Sequence, residues 1–259
     1  MATRKTAARK AATRKTAPEA AQARRAPALA TLGAALAALE SKGTKAYREG
    51  LSRYGIVAPQ AFGVSMKDVH GLAKVAGKNH ALALELWKSN WYEARLLACF
   101  VAEPARVTPA LMDRWARDFD NWAVTDTACF HLFDRTPHAF DRLAAWAKHD
   151  EEFVKRAAFA LLASVALHDE TTNDAAFVRA LPLIERAAGD PRNFVKKAVL
   201  WALRGVGGRS APLHERACAL AEKLAARAEP SARFIGKSAL RELASPAARK
   251  RLERQRAKA

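Results

Sequence analysis

The chain is poor in the residues that announce many chemistries. Cysteine is scarce: Cys99, Cys129 and Cys218 are odd in number and far apart, which argues against a disulfide framework and against a zinc site built on paired Cys-x-x-Cys ligands. Each reads as a small buried apolar residue. No apolar run reaches the roughly 18 residues of a membrane span, and no apolar stretch follows the basic N-terminus as in a secretory signal. The expectation is a cytoplasmic, nucleoid-associated protein with no membrane partner. The seven histidines never share an evident face with Cys, Asp or Glu at ligand spacing, so neither a metal nor another cofactor is expected. Gly205-Val206-Gly207-Gly208 lacks the strand-turn-helix context of a phosphate loop and reads as a helix break. A Gly-x-Ser-x-Gly elbow is missing, as are the alternating runs that mark strands.

What the chain has in excess is positive charge. Of 259 residues, 44 are Lys or Arg and 26 Asp or Glu, for a net charge of +18. Half of the residues are hydrophobic, enough for a sizeable core, so the charge belongs to a folded protein with a polyanionic partner. Residues 1–27 are an exception: they hold no Leu, Ile, Val or aromatic residue and have nothing to bury. Arg4, Lys5, Arg9, Lys10, Arg14 and Lys15 recur there as pairs five residues apart, which rotate around a helix and build no single stripe. This segment is expected to be a disordered basic tail that tethers DNA nonspecifically. Residues 28–259 form the second unit, ending in another basic stretch at 246–259.

Apolar residues at i, i+3 and i+4 fill the region between these ends, so the fold is all α. Ser65, Thr108-Pro109 and Asp190-Pro191 read as helix starts. The chain also repeats. Phe153-Val-Lys-Arg-Ala aligns with Phe194-Val-Lys-Lys-Ala and with Phe234-Ile-Gly-Lys-Ser at offsets of 41 and 40 residues. Trp91-Tyr-Glu-Ala-Arg and Trp122-Ala-Val-Thr-Asp precede them at offsets of 31. Such periods, one helix pair each, indicate a HEAT-like α-solenoid. Arg95, Asp126, Arg156, Lys197 and Lys237 hold near-equivalent places in successive units, so stacking brings them to one side. That side is either a binding face or simply a solvated one.

In order and spacing, these segments resemble the AlkD-like DNA alkylation repair family, HEAT-repeat glycosylases that remove alkylated purines. The resemblance runs from about Leu51 to Leu252. It is carried by Tyr54-Gly55, Phe62-Gly63-Val64, Leu86-Trp87-Lys88-Ser89, Glu93-Ala94-Arg95, Asn121 to Asp126, Phe153 to Ala157, and Asn193 to Ala198 running into Trp201-Ala202-Leu203-Arg204. It implies Asp126, Trp122, Trp201 and Arg156 as the catalytic set, with hydrolysis of the N-glycosidic bond of cationic N3- or N7-alkylpurines in duplex DNA by a monomer. Trp122-Ala-Val-Thr-Asp126 departs from the family form around its tryptophan, which leaves the substrate range open.

The residue types suit that chemistry. Trp122 and Asp126 are i, i+4 and share a helix face. An alkylated purine is already a cationic leaving group, so an anionic Asp126 serves the oxocarbenium-like sugar and its water. Indoles at Trp122 and Trp201 suit a cationic nucleoside. Arg156, Lys196 and Lys197 suit the phosphates around it, with Arg95, Arg204 and Lys237 extending the contact. Two other readings stay open: the tryptophans as core residues with Asp126 paired to Arg156, and a noncatalytic HEAT-type binder of DNA. A protein-interaction scaffold is the third and weakest alternative.

Overall fold

Fourteen α-helices and no strand occupy residues 29–256, the part of the chain that this computed structural model describes. Arg4, Lys5, Arg9, Lys10, Arg14 and Lys15 of the basic tail lie outside the described residues. The helices α1 (Leu32–Lys42), α2 (Lys45–Gly50) and α3 (Met66–Ala76) open the array. Five pairs follow: α4 (His80–Lys88) with α5 (Tyr92–Val101), α6 (Pro109–Arg117) with α7 (Trp122–His131), α8 (Ala139–Trp146) with α9 (Glu152–His168), α10 (Asp174–Ala187) with α11 (Asn193–Gly207), and α12 (Ala211–Ala225) with α13 (Pro230–Leu243). The last helix, α14 (Pro246–Arg256), packs on α13.

The second helices α5, α7, α9, α11 and α13 pack side by side in chain order, and α6, α8, α10 and α12 do the same behind them. This is the two-layer repeat that the 31- and 40-residue offsets predict. Each aromatic-led motif sits at or near the start of a second helix: Trp91 is the N-cap of α5, Trp122 the first residue of α7, and Phe153, Phe194 and Phe234 lie early in α9, α11 and α13.

Local signals set the helix starts. Ser65 accepts a hydrogen bond from the Asp68 N–H at 3.1 Å, and Thr108, followed by Pro109, accepts one from Leu111 at 3.2 Å. Asp190-Pro191 behaves differently from its expectation, because α11 begins three residues after Asp190. The Asp190 carboxylate instead accepts from the Arg192 N–H and guanidinium and pairs with Lys155 at 3.4 Å. It is spent on closing the connection between repeats and caps no helix.

At the centre of the array, α9 is buried almost all round, from Val154 to Ala166 with only Lys155 partly open. A helix without a polar face needs neighbours on every side. Its alanines allow close approach: a Cβ placed on Gly205 of α11 would stand 3.3 Å from the Ala163 Cα.

Gly236 marks a tighter crossing. A Cβ there would come within 2.3 Å of the Ala225 nitrogen and 2.5 Å of the Ala221 carbonyl oxygen, both backbone atoms of α12. This explains why the third copy of the Phe-Val-Lys motif carries glycine where the others have lysine. Gly236→Ala is expected to destabilise the protein by about 1–3 kcal/mol, since the overpacking exceeds alanine's helix-propensity gain of about 1 kcal/mol. A lowered denaturant midpoint at unchanged slope is the readout.

Candidate active site

Asn121 starts the site by fixing the first turn of α7. Its side-chain oxygen accepts from the N–H groups of Ala123 and Val124, both at 3.0 Å, and the Thr125 hydroxyl donates to its carbonyl at 2.7 Å. With the helix origin set, Trp122, Asp126 and Phe130 follow at four-residue intervals on one side.

Asp126 meets Arg156 of α9 in a two-pronged pair. The Arg156 Nε donates to Oδ1 at 2.8 Å and Nη2 to Oδ2 at 2.6 Å, while Nη1 donates to the Phe194 carbonyl at 2.7 Å. This fork holds the carboxylate in one plane, which a lysine could not do. The Arg156 side chain is 7% exposed and that of Asp126 20%, so the acid remains the more accessible partner. Burial pushes the Asp126 carboxyl above its ordinary value, opposed by the charge and hydrogen bonds of Arg156.

The surroundings are aromatic. Phe194 lies 5.9 Å from the Arg156 guanidinium and 5.3 Å from Phe153. The Phe194 N–H donates to Glu152 at 3.2 Å, so Glu152, in the first turn of α9, also ties α11 to the site. The Trp122 indole N–H donates to the Tyr54 carbonyl at 2.9 Å. Beside Tyr54, Gly55 sits at φ 68°, in the left-handed region, with Phe194 so close that an added Cβ would stand 3.3 Å from its ring. The turn that follows α2 thus bridges Trp122 and Phe194. One helical turn beyond Asp126, Phe130 lies 6.2 Å from Trp201, their ring planes 27° apart. Trp201 in turn lines a cavity of about 440 Å³ between the C-terminal halves of α9, α11 and α13 and the start of α14, with Arg204 and Arg241 in its wall.

Of the expected catalytic set, Asp126 and Arg156 are therefore in direct contact, Trp122 is one turn away on the same helix, and Trp201 joins through Phe130. Neither tryptophan is fully buried. Phe130 and the backbone carbonyl of Tyr54 are neighbours that the sequence reading did not place at the site, and Phe194 entered it only as the leading aromatic of its repeat. Phe130 carried a local signal, its i+4 spacing from Asp126.

The cations divide into two groups. Lys197 and Lys237 are exposed on α11 and α13, and Lys196 reaches across to lie 5.0 Å over Phe234. Arg204 is half-open and pairs with Glu242 at 2.7 Å. Arg95 departs from its expected place on an open face. All of α5 from Tyr92 to Cys99 is buried, and the Arg95 guanidinium lies 5.3 Å over Trp87, donates to the Asp118 carbonyl at 3.1 Å and pairs with Asp120 at 3.6 Å. Repeat register gave Arg95 the right height along its helix, but α3, α4 and α7 pack around α5 and leave its side chain only 10% exposed. Arg156 is likewise engaged within the protein, with its guanidinium on Asp126 and the Phe194 carbonyl, whereas Lys197 and Lys237 stay exposed.

Around Asp126 the structure thus sets a carboxylate held by a buried arginine among partly exposed aromatics. Among solved structures, one described as representing a new family of proteins related to the HEAT-like repeat DNA glycosylases, with affinity for branched DNA structures, superposes with a TM-score of 0.67. It is 20% identical and covers 82% of this chain and 95% of its own; at that identity the likeness shows the fold. No curated protein matches. The family model for DNA alkylation repair enzymes matches residues 35–252, which takes in every second helix of the array, and the chain belongs to that family.

Proposed function

We propose that the protein is a DNA glycosylase that hydrolyses the N-glycosidic bond of cationic N3- and N7-alkylpurines in duplex DNA, held against the layer of second helices. The observation that carries this reading is the Asp126 carboxylate, presented from α7, locked in plane by Arg156 and left partly open between Trp122 and Phe130. An alkylated purine leaves as a neutral base, so the enzyme needs no strong acid. It needs a fixed anion beside the sugar as positive charge develops at C1′, and a water held to attack there. Asp126 supplies the anion and can orient the water. Trp122 and Trp201 offer π faces to the cationic nucleoside.

The test is release of 7-methylguanine and 3-methyladenine from methylated duplex DNA, followed chromatographically. Absence of both from wild-type reactions overturns the enzyme reading. A second reading is supported by the saturation of Arg156 and by the description of the similar structure: a noncatalytic protein that holds DNA, branched forms included, on the same face. It requires DNA binding without base release and indifference to substitution of Asp126.

Either reading places phosphates against Lys197 and Lys237. Replacing both by alanine is expected to weaken duplex binding uniformly across sequences and to reduce the slope of log affinity against log salt by about 2, one for each lost phosphate contact. Fluorescence anisotropy titrations over a range of salt concentrations measure it.

A further inference from the structure

We propose that a continuous stripe of phenyl and imidazole rings, running from α3 to α9 beside Trp201, is a stacking platform for unpaired nucleotides. It rests on the reading that the layer of second helices faces DNA.

The stripe crosses four helices without a gap. His70 of α3 lies 4.4 Å from Phe100 of α5, and Phe100 lies 4.6 Å from His131 of α7. Phe130 follows at 5.0 Å from His131, and His168 of α9 at 4.3 Å from Phe130. Phe130 also touches the Trp201 side of the site, so the stripe begins one turn from Asp126 and leads away from it. None of these rings is fully buried, and His70 and His168 are exposed. A ring ladder built only for the core would be closed over, as are Trp87 and Trp115, stacked at 3.9 Å and buried.

The rim is cationic. Lys74, one turn beyond His70, is exposed, as are Lys78 and Arg135. The Lys78 ammonium is anchored on the carbonyls of Phe100 and Ala102, both at 2.8 Å, at the edge of the stripe. Of the nearby acids, Asp134 is turned inward with its side chain fully buried and paired with His168, and Glu103, close to Lys78, pairs with Arg106 at 3.5 Å. Burial above all, with the nearby charges of Arg135 and Lys78, holds His131 down at about 4, so its ring is neutral at neutral pH. π faces edged by lysine and arginine are what an unpaired strand requires: stacking for its bases and charge for its phosphates, with little sequence preference. A duplex cannot use such rings, because its bases are already stacked.

Anisotropy titrations with labelled DNA test this. A duplex carrying a short single-stranded thymidine tail is expected to bind about tenfold more tightly than the blunt duplex. The gain is expected to vanish when the tail is abasic, which keeps the phosphates and removes the bases. It is also expected to fall to the blunt-duplex level in the double variant His70→Ala, Phe100→Leu, with blunt-duplex affinity unchanged. His70→Ala alone, on the surface, removes part of the gain with no risk to folding. Equal binding of tailed and blunt duplexes by the wild type, an abasic tail as good as a thymidine tail, or a gain that survives both variants overturns the proposal. Base release from methylated duplex is a separate reading: its absence sinks the glycosylase and leaves the tail preference to stand or fall alone.

Discussion

Asp126→Asn is expected to lower the single-turnover rate of base release from methylated duplex by about 10²- to 10³-fold, the usual cost of removing one preorganised electrostatic group from an active site. Duplex affinity is expected to stay within about threefold, since phosphate contacts with lysine and arginine carry it. The substitution is nearly isosteric. The new amide's oxygen still accepts from one Arg156 donor, but its nitrogen opposes the other, and the neutral group no longer offsets charge developing on the sugar. Arg156→Lys separates position from charge: lysine keeps the cation and loses the fork that now holds both carboxylate oxygens, at 2.8 and 2.6 Å. It is expected to be partly active, between the wild type and Asp126→Asn. The pH profile supplies a second readout. The proposed reaction needs the ionised carboxylate, and burial raises the Asp126 pKa from its ordinary 3.8. Activity therefore falls with falling pH at a point above that value, and Asp126→Asn removes this acid limb. Full activity in Asp126→Asn would reduce the pair to a strut between α7 and α9.

The repeat was legible in the sequence because it is written in residues whose roles are local. An aromatic near the helix start, a charged residue one turn on and a small-apolar run recur wherever a second helix packs between two others, and periodicity finds them. Helix starts were legible where a hydroxyl caps its own turn, at Ser65 and Thr108. They failed at Asp190, whose carboxylate answers to Arg192 and to Lys155 of the previous pair. The fate of Arg95 shows a second limit: the register of a repeat fixes which turn of a helix a residue occupies, while exposure depends on how closely the neighbours stand. The Trp122 bond to the Tyr54 carbonyl, 68 residues away, has no local trace at all. Such contacts belong to the packing of α1–α3 against the first pairs, a part of the chain without the repeating motif.

Glu93→Ala is expected to cost about 3–5 kcal/mol and to lower the melting temperature by on the order of 10 °C, a large effect for a residue outside the reacting set. Its side chain is fully buried in α5. One carboxylate oxygen accepts from the N–H of Phe62 at 2.9 Å, and the other from those of Gly63 at 2.7 Å and Val64 at 3.0 Å. Three successive amides converging on one anion form a nest. It exists because Gly63 adopts φ 83°, where a side chain would strike the Thr44 carbonyl oxygen at 2.2 Å. Alanine leaves three buried donors unsatisfied and a hole beneath the loop. Glu93→Gln keeps the volume but sets an amide N–H₂ against a backbone donor, so it too is expected to destabilise, by less than alanine. The consequence reaches the candidate site, because this loop continues from Tyr54 and Gly55, which bear on Trp122 and Phe194. At temperatures where Glu93→Gln remains folded, base release is expected to fall further than duplex affinity, since the lysines of α11 and α13 are untouched while the loop that bears on Trp122, one turn from Asp126, has lost its anchor. Thermal unfolding and single-turnover base release, measured on the same preparation, separate the two effects.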